Sequence, residues 1–178
     1  MGHRRYPRGG AAVTVILKLW HTGPMSRVRR RVLAVLGASR ATAGEEAAAR
    51  AVGRTAAEAG WVVLTGGGPG VMAAACRGAA EAGGVTVGVL PLSGTVAGYP
   101  NPWVTIPIFT GLGSARNAVN VLSGDLLVAI GGGPGTLSEV ALAAKAGREV
   151  LWWRPWRLAP PPGGEPLPVT AFETVEEL

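Results

Sequence analysis

From Val32 onward the chain alternates short, unbroken apolar runs with longer stretches that mix alanine and charge. The runs VLAVLG (Val32–Gly37), WVVLT (61–65), VTVGVLP (85–91), WVTIPIF (103–109), DLLVAI (125–130) and REVLWW (148–153) predict buried strands. Residues 44–60, 71–82, 112–122 and 136–146 predict helices, the second of them stopped by Gly83 and Gly84. Pro107 marks the fourth strand as an edge strand or one that stops early. Residues 154–168 are proline-rich and predict a loop, followed by a last short strand, VTAF, and the opening of a helix at ETVEEL.

Unbroken apolar strands separated by helices predict an α/β fold, because both faces of each strand must be covered. Right-handed crossovers then give a single doubly wound, mostly parallel, Rossmann-like sheet that binds its ligand at the carboxyl ends of the strands. A chain of 178 residues suffices for one such domain, expected over residues 32–178. With 48 % hydrophobic and 16 % charged residues, disorder of the whole chain is excluded.

The net charge of +6 suggests a polyanionic partner until its position is considered. Arg4, Arg5, Arg8, Lys18, Arg27, Arg29, Arg30 and Arg31 precede Val32 with no acidic residue among them, and the remainder is slightly acidic. No aromatic and basic platform accompanies this charge, so nucleic acid is not an expected partner. The run AAVTVILKLW is broken by Lys18, lacks a small-residue cleavage site and is too short to span a membrane. Residues 1–31 therefore read as a basic extension, either disordered or upstream of a start at Met25. Cys76 is the single cysteine, so no internal disulfide can form, which fits a reducing, cytoplasmic setting.

One pentapeptide, GGGPG, occurs twice, at 66–70 and at 131–135, each time after a predicted strand and before a predicted helix. Such a turn aims backbone N–H groups and the positive end of the helix dipole at one point, which suits a phosphate. The dinucleotide fingerprint does not fit, because Val71 and Thr136 stand where its third glycine belongs. No lysine follows either turn, which excludes the Walker pattern. A smaller ligand such as a nucleoside monophosphate fits the two turns.

Between residues 82 and 146 only Arg116, Asp125, Glu139 and Lys145 are charged. Asp125 belongs at the amino end of the sheet, and Lys145 at a helix end where it complements the dipole. Glu139 admits two readings. Thr136-Leu137-Ser138-Glu139 matches a capping box, yet the equivalent position in the first copy is Ala74, so the turn does not require a carboxylate. Arg116 lies off the helical stripe Leu112, Ala115, Val119 and Leu122, which predicts either a solvated arginine or a ligand contact. Cys76 and the tryptophans of LWWRPW are expected in the core or, for some tryptophans, at a surface or subunit contact. His3 and His21 lie in the extension, so neither a histidine triad nor a metal cluster is expected.

These motifs resemble the Lonely Guy (LOG) superfamily, which includes cytokinin-nucleotide phosphoribohydrolases and proteins similar to molybdenum-cofactor carriers. The resemblance covers Val32 to Trp153. Gly132 to Glu139 matches the family's GGxGTxxE, Gly66 to Met72 its first glycine loop, and Arg116 its motif arginine. It implies Glu139 and Arg116 as a catalytic pair that hydrolyses a nucleoside 5′-monophosphate to free base and ribose 5-phosphate. The implied phosphate and ligand contacts are Gly37, Ser39, Gly66, Gly67, Gly68, Gly70, Met72, Asn117, Gly132, Gly133, Gly135 and Thr136. The hydrolase branch has Arg-Lys where this chain has Arg116-Asn117, and its second motif begins with proline where this chain has Gly131. The chain is thus closer to the carrier-like branch, whose members bind a phosphorylated cofactor without hydrolysing it. The expected partners are a nucleotide-like small molecule and a second copy in a homodimer, with no membrane, no metal and no resident cofactor. Lysine decarboxylation, a label once common in this family, finds no support. The only lysines are Lys18 and Lys145, neither placed to anchor pyridoxal phosphate.

Overall fold

The computed structural model describes residues 29–156, 158–160, 162–164 and 166–172. The expectations for the basic extension, the start at Met25 and a helix at ETVEEL fall on residues 1–28 and 173–178, outside the described ones. Seven strands form one sheet: β1 (Val32–Gly37), β2 (Val62–Thr65), β3 (Thr86–Leu90), β4 (Ile106–Phe109), β5 (Leu126–Ile130), β6 (Val150–Trp153) and β7 (Val169–Phe172). Their order is β4-β3-β2-β1-β5-β6-β7, and every neighbouring pair is parallel. The chain builds outward from β1 to β4, then returns to place β5 on the other side of β1. That reversal opens a crevice at the carboxyl ends of β1 and β5, where a doubly wound sheet binds its ligands.

Four helices cover the sheet: α1 (Ala43–Glu58), α2 (Val71–Glu81), α3 (Arg116–Ser123) and α4 (Pro134–Lys145). Alternate residues of β1 face opposite layers, as the two-residue period of a strand demands. Leu33 and Val35 pack with Val52 of α1 and Val71 and Ala75 of α2. Ala34 and Leu36 pack with Val121 of α3 and Val140 and Ala143 of α4. Cys76 is fully buried, its thiol 3.4 Å from the Thr65 hydroxyl, and burial pushes its pKa up. It is a core residue. Trp152 and Trp153 are buried as well, whereas Trp156 is exposed. No helix among the described residues is long and apolar enough to cross a membrane.

Helices α1 and α2 cross at small residues. A β-carbon on Gly53 would overlap the Ala75 carbonyl, and one on Gly78 would overlap the Arg50 carbonyl. The crossing is tied at its rim by Glu81, which accepts from Arg50, Arg54 and Arg77. Helix α1 opens with a capping box, Thr42 accepting from the Glu45 N–H while the Glu45 carboxylate takes the Thr42 N–H.

Two expectations need correction. The helix expected over 112–122 begins as a 3-10 turn, Gly113–Ala115, and becomes α-helical only at Arg116. Its buried face carries Asn120 and Val121, while Leu112 and Leu122 are exposed. The apolar stripe misled because a helix of two turns has too few positions to fix its phase. The second correction is at α4, which starts at Pro134 and not at Thr136. Proline fits the first position of a helix, where its missing N–H has no intrahelical acceptor to serve.

Candidate functional site

A cleft of about 260 Å³ opens at the carboxyl ends of β1 and β5. Its walls include Gly37 and Ser39 after β1, Gly66 and Met72 at the first glycine turn, and Arg116 and Asn117 at the start of α3. Gly133, Gly135, Thr136 and Glu139, from the second turn and α4, complete it. Gly67, Gly68, Gly70 and Gly132, also expected as ligand contacts, are not among the residues that line it. Pro134, Tyr99 and Ala38 also line it and were not singled out from the sequence.

Glu139 does not cap its helix. The helix begins three residues earlier than the capping box requires, its N-cap is Gly133, and no side chain caps it. The carboxylate is instead buried, 5 % exposed, and accepts a 2.8 Å hydrogen bond from Asn120 Nδ2. Arg116 Nη1 lies 3.7 Å from the same oxygen. Burial raises the pKa of Glu139, while Asn120 and then Arg116 act to lower it. Arg116 is itself only 12 % exposed, so the solvated reading of this arginine is also corrected. Arg116 and Asn120 are four residues apart on α3, the spacing that stacks side chains on one helix face. That spacing was the available signal for Asn120, which sequence reasoning missed.

The two glycine turns share a sequence but not an environment. At the first, a β-carbon on Gly66 would fall inside the Arg116 guanidinium, and one on Gly68 would lie 2.5 Å from the Tyr99 hydroxyl. Gly70, at φ +65°, leaves room for the backbone of Ala38 and Ser39. Backbone groups here are also engaged. The Gly67 N–H donates to Thr65 Oγ1, the Gly67 and Gly68 carbonyls accept from Asn101, and the Val71 N–H donates to the Ala38 carbonyl. At the second turn, nothing lies within 4 Å of a β-carbon built on Gly133 or Gly135. The first N–H groups of α4 have no intrahelical acceptor by construction. Thr136 Oγ1 and Arg116 Nε are buried without a protein partner. Asn117 ties α3 to α4 through a 2.8 Å bond to Ser138 Oγ, which donates in turn to the Gly135 carbonyl.

The first turn is thus covered by side chains at Gly66 and Gly68, whereas the second is covered by Glu45 and Thr136 at Gly131 and Gly132 and open only at Gly133 and Gly135. Open N–H groups at a helix N-terminus, a buried hydroxyl and an arginine are the groups that an anion would need. Among the described residues no group of three or more His, Cys, Asp or Glu side chains could hold a metal ion.

An uncharacterized protein of Archaeoglobus fulgidus is 39 % identical over 145 residues, which cover 82 % of this chain and 89 % of that protein. The molybdenum cofactor binding protein of the phototrophic bacterium Rippkaea orientalis is 44 % identical, with a TM-score of 0.68 over 71 % of this chain and 77 % of that one. The molybdenum cofactor carrier protein MCP of Chlamydomonas reinhardtii is 37 % identical, with a TM-score of 0.69 over 84 % of this chain and 93 % of that one. The SLOG cluster4 family matches residues 30–163, a span that holds both glycine turns, Arg116 and Glu139. The chain belongs to the SLOG cluster4 family.

Proposed function

We propose that this chain is a carrier of a phosphorylated cofactor of the molybdenum-cofactor type, held in the cleft between β1 and α4. The observation that carries the reading is the open space at Gly133 and Gly135 of the second turn, within a chain 37 to 46 % identical to molybdenum-cofactor binding and carrier proteins. The Gly135 and Thr136 N–H groups, Thr136 Oγ1 and the Arg116 guanidinium would take the phosphate, and the cofactor is cargo. Asn117 supports the same reading. It is spent on a tie to Ser138, where the hydrolase branch carries a lysine.

The second reading, hydrolysis of a nucleoside 5′-monophosphate, has one observation in its favour: Glu139 and Arg116 line the same cleft. A carboxylate there could stabilise positive charge developing on a sugar or activate water.

One experiment separates the two. The protein is isolated from cells that make molybdenum cofactor, beside a Gly135→Val variant, and molybdenum and oxidised pterin are measured in each. The wild type should carry both and the variant neither, since nothing within 4 Å obstructs a β-carbon at Gly135 and only the ligand site is filled. Nucleoside monophosphates incubated with the same protein should stay intact. Release of free base by the wild type and not by Glu139→Gln would overturn the carrier reading in favour of the hydrolase.

A further inference from the structure

Groups of two kinds line the cleft. The second turn, Thr136 and Arg116 supply those that suit an anion. Tyr99 and Met72 are of the other kind, and Tyr99 is the one aromatic residue among those lining the cleft. Tyr99 comes from the loop between β3 and β4, far from either motif in sequence, and three contacts fix it there. Its backbone pairs with Val96, the Val96 N–H donating to the Tyr99 carbonyl and the Tyr99 N–H to the Val96 carbonyl, both at 3.0 Å. Two residues on, the Asn101 N–H donates to the Gly67 carbonyl at 2.8 Å, and Asn101 Nδ2 donates to the Gly68 carbonyl at 2.9 Å. Asn101 is 4 % exposed, so this clamp is buried. The phenol end of Tyr99 then rests on Gly68, where only glycine leaves room.

The first glycine turn therefore serves as a seat for two side chains, Arg116 on Gly66 and Tyr99 on Gly68. A second phosphate at this turn would have to displace both. We infer that the cleft takes one phosphate, at the second turn, and that Tyr99 is a specificity-determining residue that packs against a planar heteroaromatic ring of the same ligand. The inference rests on a heteroaromatic phosphomonoester lying in this cleft, as proposed above, and it adds the residue that meets the ring. Two sources share that chemistry, a pterin phosphomonoester and a purine nucleoside monophosphate. An aromatic side chain suits either, because every such ring presents a polarisable face.

The test is calorimetric titration of the full chain and its Tyr99→Ala and Tyr99→Phe variants with three probes. These are 6-hydroxymethylpterin phosphate, GMP and glycerol 3-phosphate, which has the phosphate and no ring. The wild type should bind at least one ring-bearing probe more tightly than glycerol 3-phosphate. Tyr99→Ala should weaken that probe about tenfold, the scale of one ring-on-ring contact. It should leave glycerol 3-phosphate within about twofold, which also shows that the variant is folded. Tyr99→Phe should keep the preference, because the ring and not the hydroxyl makes the contact. The tighter of the two ring-bearing probes names the source. Equal weakening of all three probes by Tyr99→Ala, or no weakening of any, overturns the role of Tyr99 alone. A folded wild type that binds none of them overturns the phosphate-ligand reading and this inference with it.

Discussion

The guanidinium of Arg116 lies over Gly66 in the space where any other residue would carry its β-carbon. This pairing gives the first glycine turn a use that needs no ligand. Gly66 is bare so that the arginine can reach the cleft wall beside Glu139, while Gly133 and Gly135 of the second turn leave open space at the cleft.

Gly66→Ala should therefore impair the ligand more than the fold. The obstructed group ends a long side chain that can swing aside, so the stability change should stay within about 1 kcal/mol. Displaced from the wall, Arg116 loses its contact with the anion, and affinity for glycerol 3-phosphate should fall about tenfold. Thermal melting and calorimetric titration of one preparation read both. Unchanged affinity would show that Arg116 does not touch the ligand.

At Gly78 the obstruction is backbone, and the balance reverses. Alanine gains up to about 1 kcal/mol of helix propensity over glycine. Its β-carbon, however, meets the Arg50 carbonyl, which cannot move unless α1 and α2 separate. Overpacking of this kind costs about 1–3 kcal/mol, so Gly78→Ala should lower stability in urea denaturation despite the better helix former. A more stable variant would mean that the crossing yields freely.

Asn120→Ala removes the hydrogen-bond donor to a buried carboxylate. The unsatisfied acceptor should cost about 1–3 kcal/mol. In the background of Glu139→Gln the same change should cost less, since no buried charge then loses its hydrogen bond. Equal costs in a double-mutant cycle would show that the Asn120–Glu139 bond contributes nothing beyond packing.

The pH dependence follows from Glu139. Its folded pKa is raised above the ordinary value of 4.5, chiefly by burial. Folding therefore favours the neutral carboxyl. Its contribution is fully present below the unfolded value and is lost as pH rises through the folded one. Wild type and Glu139→Gln should have their most favourable wild-type balance at pH 4, with the variant gaining ground by pH 7. If denaturation at the two pH values showed the opposite trend, attraction to Arg116 would outweigh desolvation.

Much of the fold was legible because burial on both faces leaves a strand no polar positions. Val32–Gly37 and Leu126–Ile130 could hardly be read otherwise, and Pro107 marked β4 as an edge strand, where an absent N–H costs little. The start of α4 was missed although Pro134 carried the signal for it. Weight went to the Thr136–Glu139 pattern, which satisfies capping-box spacing without capping anything. Asn120 and Tyr99 were missed for a different reason. A polar residue in a short helix and an aromatic in a loop have no period to betray them.

By itself the sequence determined the parallel sheet, the strand-end location of both glycine turns and the family, since these depend on local pattern and spacing. Only the tertiary structure decided that the first turn is covered at Gly68 while its counterpart in the second, Gly133, is open. That difference comes from Arg116, Tyr99 and Asn101, residues remote from the first turn in sequence and folded over it. It also decided that Glu139 faces Asn120 and Arg116 and not its own helix end. The environment of a side chain is set by what packs against it, and for both turns that packing comes from elsewhere in the chain.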